Sequence, residues 1–315
     1  ASPWSPRVAS SVVNSQSDIV LVGGADAAGD LPDMWLYKPS AGGSWAPVHV
    51  VSAPPMRASF GLTLSSFGTF LVLAGGRASN GTLLRDTWTT PSSPSNAANW
   101  SRQADGGWSP REGLTVEAAF STVYLFSGCN NTHCPQDVWK FSSASFASGS
   151  GWVRVPGTAP WPGRKFASTV FSGTSLFMSG GVTADVVLND VWRYSKDAHG
   201  KYVWTPTVDP SKTPLPTRSA GCMLASSTLL WLLGGENRTE AGAVSSMGDV
   251  WVGSSDGASW WQVSDSNPWG PLSGMACQTV PVSNGLWIAG GSRVSATGNV
   301  SYTNSVWTST SSSAW

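Results

Sequence analysis

The chain of 315 residues is poor in charge. Only 11% of its residues are charged and the formal net charge is zero, against roughly 25% charged in an average soluble domain. That balance excludes an electrostatic footprint for nucleic acid or an anionic membrane surface. Histidine is scarce too, with three copies, His49, His133 and His199. There is no Gly-rich phosphate loop, no Ser-centred nucleophile elbow and no His-Glu-X-X-His pattern. The longest apolar run, around Leu229 to Leu233, is far too short for a membrane-spanning helix. Cysteine is limited to four residues, and they do not cluster as four tetrahedral metal ligands. No cofactor and no metal site is expected.

What the chain has in excess is glycine, 35 copies, and tryptophan, 19 copies. Glycine marks tight backbone turns and tryptophan needs large, half-buried packing sites. Both fall in a repeat. Apolar runs end at Gly23-Gly24, Gly75-Gly76, Gly180-Gly181, Gly234-Gly235 and Gly290-Gly291, and a sixth copy is assigned to Gly128-Cys129. The first positions recur 52 to 56 residues apart. After each comes an acidic-apolar-Trp element: Asp33-Met34-Trp35, Asp86-Thr87-Trp88, Asp137-Val138-Trp139, Asp190-Val191-Trp192 and Asp249-Val250-Trp251. The sixth, Ser305-Val306-Trp307, lacks the Asp. A second Trp follows each element, the last being Trp315. An Arg precedes the first apolar run at Arg7, Arg57, Arg111, Arg164 and Arg218; the sixth copy is read as having Ser273-Gly274 there.

A fixed period of this size is the mark of a repeat architecture. The pattern resembles the kelch repeat family, whose units each build one four-stranded propeller blade. The resemblance covers essentially the whole chain. It implies an all-β fold, a six-bladed β-propeller of four-stranded antiparallel blades. The expected blades are 7–52, 57–105, 111–156, 164–209, 218–265 and 274–315, in a single domain over 1–315. Trp4-Ser5-Pro6-Arg7 matches Trp108-Ser109-Pro110-Arg111, so 1–6 is read as the linker that closes the ring. In blade four, strands are expected over Phe166–Phe171, Ser175–Ser179 and Val191–Tyr194, with Trp204 opening a fourth. Most Trp residues are expected between blades, with Trp108, Trp161 and Trp269 as the places where one could stack on a sugar.

Two disulfides are expected. Cys129 and Cys134 flank Asn-Asn-Thr-His. Cys222 and Cys277 occupy near-equivalent places in the inner strands of blades five and six, within reach of one another near the propeller axis; buried free thiols are the other reading. Five N-glycosylation sequons stand at Asn80, Asn99, Asn130, Asn237 and Asn299. Four of them follow the glycine pair, in loops that share a face of the disc with the inter-blade linkers. Asn99 is expected towards the opposite face. Even cysteine usage and surface sequons point to a secreted or cell-surface glycoprotein carrying N-linked glycans.

Three functions are carried forward. The first is a non-catalytic extracellular binding or structural module that recognises a protein or glycan through its loop faces. The second is a carbohydrate-active enzyme of epimerase or lyase type, using Glu117 in an inner strand with Arg111 at the channel mouth, beside Glu112, Glu236 and Arg77. The third is an intracellular kelch adaptor. Copper-radical oxidases share the repeat but need His and Tyr ligands on a seven-bladed ring, which this chain lacks. For the Arg series, Arg7, Arg57, Arg111, Arg164 and Arg218, the kelch resemblance implies bonds to backbone carbonyls of the neighbouring blade. The functional alternative is a ring that grips acidic groups. Arg77, directly after its glycine pair, is the best exposed binding candidate.

Overall fold

The computed structural model describes residues 2–15, 18–39, 43–65, 67–93, 97–142, 151–209, 211–226, 228–239, 242–280, 285–295 and 297–309. It is a β-propeller of six antiparallel blades. Blade one runs outward through Ser11–Ser15, Asp18–Val22, Met34–Lys38 and Ser44–Pro47. Blade two has Gly61–Leu64, Phe70–Ala74, Thr87–Pro91 and Ser101–Arg102. Blade three has Glu112–Ala119, Thr122–Cys129, Val138–Ser142 and Val153–Arg154. Blade four has Ser168–Ser172, Ser175–Ser179, Val191–Lys196 and Tyr202–Pro206. Blade five has Cys222–Ala225, Leu229–Arg238, Val244–Ser254 and Trp260–Ser264. Blade six shows three strands among the described residues, Ala276–Val280, Gly285–Ala289 and Val306–Thr308. Trp315, expected to open its fourth, lies outside them.

The second strands show why the sequence folds this way. Asp18–Val22, Phe70–Ala74 and Gly285–Ala289 are buried almost throughout. A strand covered on both faces reads as a continuous apolar run rather than an alternation. Each run stops at a pair of left-handed residues. The second of the pair must be glycine because the chain passes too close to the segment that leads into its own first strand. A Cβ on Gly181 would lie 2.9 Å from the Lys165 carbonyl oxygen, and one on Gly76 would lie 2.8 Å from that of Ala58.

Blade three corrects the sequence register by one residue. Its left-handed pair is Ser127 (φ 59°) and Gly128 (φ 82°), not Gly128-Cys129. Arg111 confirms the shift, since Nη1 donates to the Ser127 carbonyl as Arg164 does to that of Gly180. Blade six needs the same correction. Gly235 N–H donates to the Leu272 carbonyl, as Gly181 N–H donates to that of Arg218. Leu272, rather than Ser273-Gly274, therefore stands in the Arg position.

Six clusters of buried apolar side chains fill the seams between blades. The last joins Trp287 and Ala289 of blade six to Val12, Ile19 and Leu21 of blade one, with Trp4 between them. The segment around Trp4 is clamped there by Asn304, whose Nδ2 donates to the carbonyls of Ser2 and Trp4 at 3.1 Å. Gln136 clamps the linker carbonyls of Ala159 and Trp161 in the same manner. Trp108, Trp161 and Trp269 are fully buried, so the structure removes them as surface platforms for sugars.

Candidate functional site: the linker face and the axial channel

The five repeated Arg residues do not face a ligand. Arg7, Arg57, Arg111, Arg164 and Arg218 are buried. Each forms a two-pronged ion pair with the Asp of its own blade: Asp33, Asp86, Asp137, Asp190 and Asp249. The Trp two residues beyond each Asp donates its indole N–H to the same carboxylate, at 2.7 to 2.8 Å. Such forked pairs are short and strong. The alternative of a ring of ligand-gripping guanidiniums gives way to five internal Arg–Asp–Trp clamps. The carbonyl that each Arg caps belongs to its own blade, not the neighbour. Burial opposes ionisation of Asp86 and Asp137. The hydrogen bonds and charge of Arg57 and Arg111, with the indole N–H, nevertheless hold both carboxyls below the usual range. The signal for the clamps lay in the spacing, because Asp follows Arg by 26 to 31 residues every time.

Two residues after the Arg position the backbone turns left-handed in every blade. The residues are Ala9 (φ 54°), Ser59 (57°), Gly113 (62°), Phe166 (57°), Ala220 (51°) and Gly274 (59°). Their peptide groups join head to tail around the axis. Ala9 N–H donates to Gly274 (3.0 Å), Gly274 to Ala220 (2.8 Å), Ala220 to Phe166 (2.9 Å), Phe166 to Gly113 (2.9 Å) and Gly113 to Ser59 (2.8 Å). A left-handed non-glycine residue costs roughly 1–2 kcal/mol. Here the cost is offset by a main-chain collar that ties all six blades together.

The collar surrounds a recess of about 330 Å³ at the mouth of the axial channel, on the face that carries the linkers. Charge lies beside this mouth. Arg77 Nε meets Glu112 at 3.1 Å, and Lys165 Nζ meets the other oxygen of Glu112 at 2.8 Å. This string crosses blades two, three and four. Arg77 keeps 54% of its side chain exposed. Lys165, which sequence reading missed, follows Arg164 just as Glu112 follows Arg111, and that equivalence was its available signal. In blade five, burial pushes the Glu236 carboxyl up, against Arg238 and the hydroxyls of Ser273 and Ser219.

Glu117 lies elsewhere. It is six residues beyond Arg111, roughly 20 Å along an extended strand, and lines a second, deeper section of the channel. Arg111 is already committed to Asp137. The structure does not bring together the Glu117–Arg111 pair that the enzyme reading requires.

The cysteines form two disulfides, Cys129–Cys134 and Cys222–Cys277. Of the sequons, Asn80 and Asn299 are exposed in turns after the glycine pairs. Asn130 sits inside the Cys129–Cys134 loop with Nδ2 3.4 Å from Ser109 Oγ of the linker. Asn237 accepts from Thr217 Oγ1 of the linker that leads into its own blade at 2.8 Å. The lengthened loops of blades five and six are hairpins, Leu229–Arg238 with Val244–Ser254 and Ser292–Val294 with Val300–Tyr302. They touch through Val294 N–H and Ser246 Oγ at 3.0 Å. Asn99 is exposed in Ala97–Asn99, which pairs in parallel with His49–Ser52 of the preceding repeat.

This geometry defines a kelch-type propeller, a fold that serves as a protein-binding module. The family model of the KLHDC2/KLHL20/DRC7 kelch-repeats domain matches residues 61–291, most of the chain, and the chain belongs to that kelch-repeat family. Kelch repeats are generally non-enzymatic binding domains. No curated protein matches the chain. Among the described residues no helix is long and apolar enough to cross a membrane.

Proposed function

We propose that this propeller is a non-catalytic binding module, secreted or held at the cell surface, that takes a protein or glycan partner on its linker face. The observation that carries the reading is the charged mouth of the axial channel. Arg77 is the one residue of the Arg binding set that a partner can reach, since the other five are spent on internal clamps. An acidic group on the partner would meet Arg77 and Lys165 beside the recess and form charge-assisted bonds with them. Glycans at Asn80, Asn130, Asn237 and Asn299 would crowd the same face on blades two, three, five and six. The open approach is then over blades one and four. Two disulfides support an oxidising compartment.

The test has two parts. Peptide mapping of natively sourced protein should find those four Asn modified, and finding them bare removes the glycoprotein reading. Capture of the extracellular partner by the wild type should be lost in Arg77→Glu and kept in Val263→Lys on the outer rim; retention in Arg77→Glu removes the linker face. The family match is equally consistent with an intracellular adaptor. In that case native protein should show four free thiols when its mass is compared with and without reductant. Turnover of an acidic sugar, abolished in Glu117→Gln, would reinstate the enzyme.

A further inference from the structure

Beyond the collar, along the first strands, the channel opens into a cavity of about 450 Å³, within the size range of small-molecule sites. The first strands of all six blades contribute to its wall. Glu117 is the one titratable side chain among the lining residues, because Cys222 and Cys277 are bonded to each other and no Lys, Arg, His, Asp or Tyr lines it. The carboxyl receives a hydrogen bond from the backbone N–H of Phe171 and no countercharge from a described residue. In blade one, Asn14 Nδ2 donates to the Thr279 carbonyl. That bond fixes which end of the amide is nitrogen. The Asn14 oxygen has no hydrogen-bond partner among the described residues and is closed off from solvent, so it is no part of the wall a ligand can touch.

The wall therefore has a carboxyl as its one source of charge. A matching ligand brings positive charge and an N–H to that carboxyl. A divalent metal does not match. Calcium and magnesium ask for six or more oxygen ligands, zinc for a set of nitrogen and thiolate, and no group of three His, Cys, Asp or Glu stands together among the described residues. A lone carboxylate suits a monovalent cation. We propose that this axial cavity binds a small primary ammonium compound, with the cation on the Glu117 carboxylate.

Burial pushes the carboxyl of Glu117 up to about 8, so at pH 7 it carries a proton. Binding a protonated amine then releases one proton. The neutral acid and the ammonium ion become a carboxylate–ammonium pair and a hydrogen ion in solution. Below pH 8 affinity falls as pH falls, close to tenfold per unit. Above it, affinity stays level until the amine loses its own proton near pH ~10.4.

Ethylammonium chloride is the probe, titrated calorimetrically into the whole chain. Ethanol controls for shape without charge, and tetramethylammonium for charge without N–H donors. The expected result is one saturable site for ethylammonium alone. At pH 7, heats in buffers of different ionisation enthalpy should report one proton released. Glu117→Gln should weaken binding roughly thirtyfold or more and abolish the proton release. The pH profile of the wild type reads the same carboxyl without any substitution. No saturable binding by the wild type, a flat profile from pH 6 to 8, equal binding of ethanol or tetramethylammonium, or unchanged binding by a folded Glu117→Gln chain would each overturn the proposal.

Discussion

Blade six has the Trp of its five neighbours without the ions that hold theirs. In blade four, Asp190 sits between the Arg164 fork and the Trp192 indole. In blade six the same places hold Leu272, Ser305 and Trp307, and the Trp307 N–H finds no partner among the described residues. What replaces the clamp is attachment to neighbours. Cys277 is bonded to Cys222 of blade five, Leu272 and Met275 are packed in the seam between those blades, and Asn304 grips the segment at Ser2 and Trp4. Five blades are thus stiffened from within. The sixth is held from both sides, which suits the blade where the ring must close.

The largest test of this contrast removes one ion. Asp190→Ala leaves the fully buried Arg164 without its counterion and should cost about 3–5 kcal/mol, read as a lowered denaturation midpoint. A cost below about 1 kcal/mol would mean that the clamps are ornaments. Next comes the staple. Opening Cys222–Cys277, a closed loop of 55 residues, should cost roughly 4 kcal/mol by chain entropy. Opening Cys129–Cys134, with a separation of 5, should cost roughly 2 kcal/mol. If the two losses are equal, blade six does not depend on its bond to blade five.

Acid sharpens the contrast by blade. The carboxyls of Asp86 and Asp137 are held low in the folded chain. Their contribution is fully present above the ordinary carboxylate range and lost as pH falls through their folded values. Hydrogen exchange, corrected for its intrinsic rate, should show blades two and three loosening at low pH before blade six, which has no such carboxylate. Glu117 acts with the other sign. Its raised value means that the folded state holds a proton the unfolded chain has lost, so stability declines between about pH 4.5 and 8. Glu117→Gln should remove that decline in thermal midpoint. The smallest effect is expected from transplanting a clamp. Leu272→Arg with Ser305→Asp should change stability by only about 0–1 kcal/mol, because desolvation of a new buried pair nearly cancels its attraction. Leu272→Arg alone should be severely destabilising.

Much of this fold is written in the repeat itself. Glycine at the close-approach position and Trp two residues after Asp are both forced by geometry, so they survive in the sequence as a visible period. The Cys222–Cys277 pair was legible for the same reason, since equivalent places in adjacent inner strands are near one another. What escaped were features that no residue type enforces. Ser127 can adopt the left-handed turn that glycine usually marks, so the register of blade three slipped by one. Arg suggested an exposed ligand grip because charge reveals nothing about direction; only the matching Asp 26 to 31 residues on does. The collar left no signature at all. Ala9, Ser59, Phe166 and Ala220 are not residues that announce a left-handed turn, and what they share is peptide hydrogen bonding.

That last feature bears on how such a protein can change. A run of bonds between amide hydrogens and carbonyl oxygens draws on no side chain for its links. Substitutions at its non-glycine positions can rewrite which partner is accepted while the five links stay made, whereas proline, which has no amide hydrogen to give, would unfasten one. Rigidity and recognition are thereby inherited separately, one in the main chain and the other in the groups it displays.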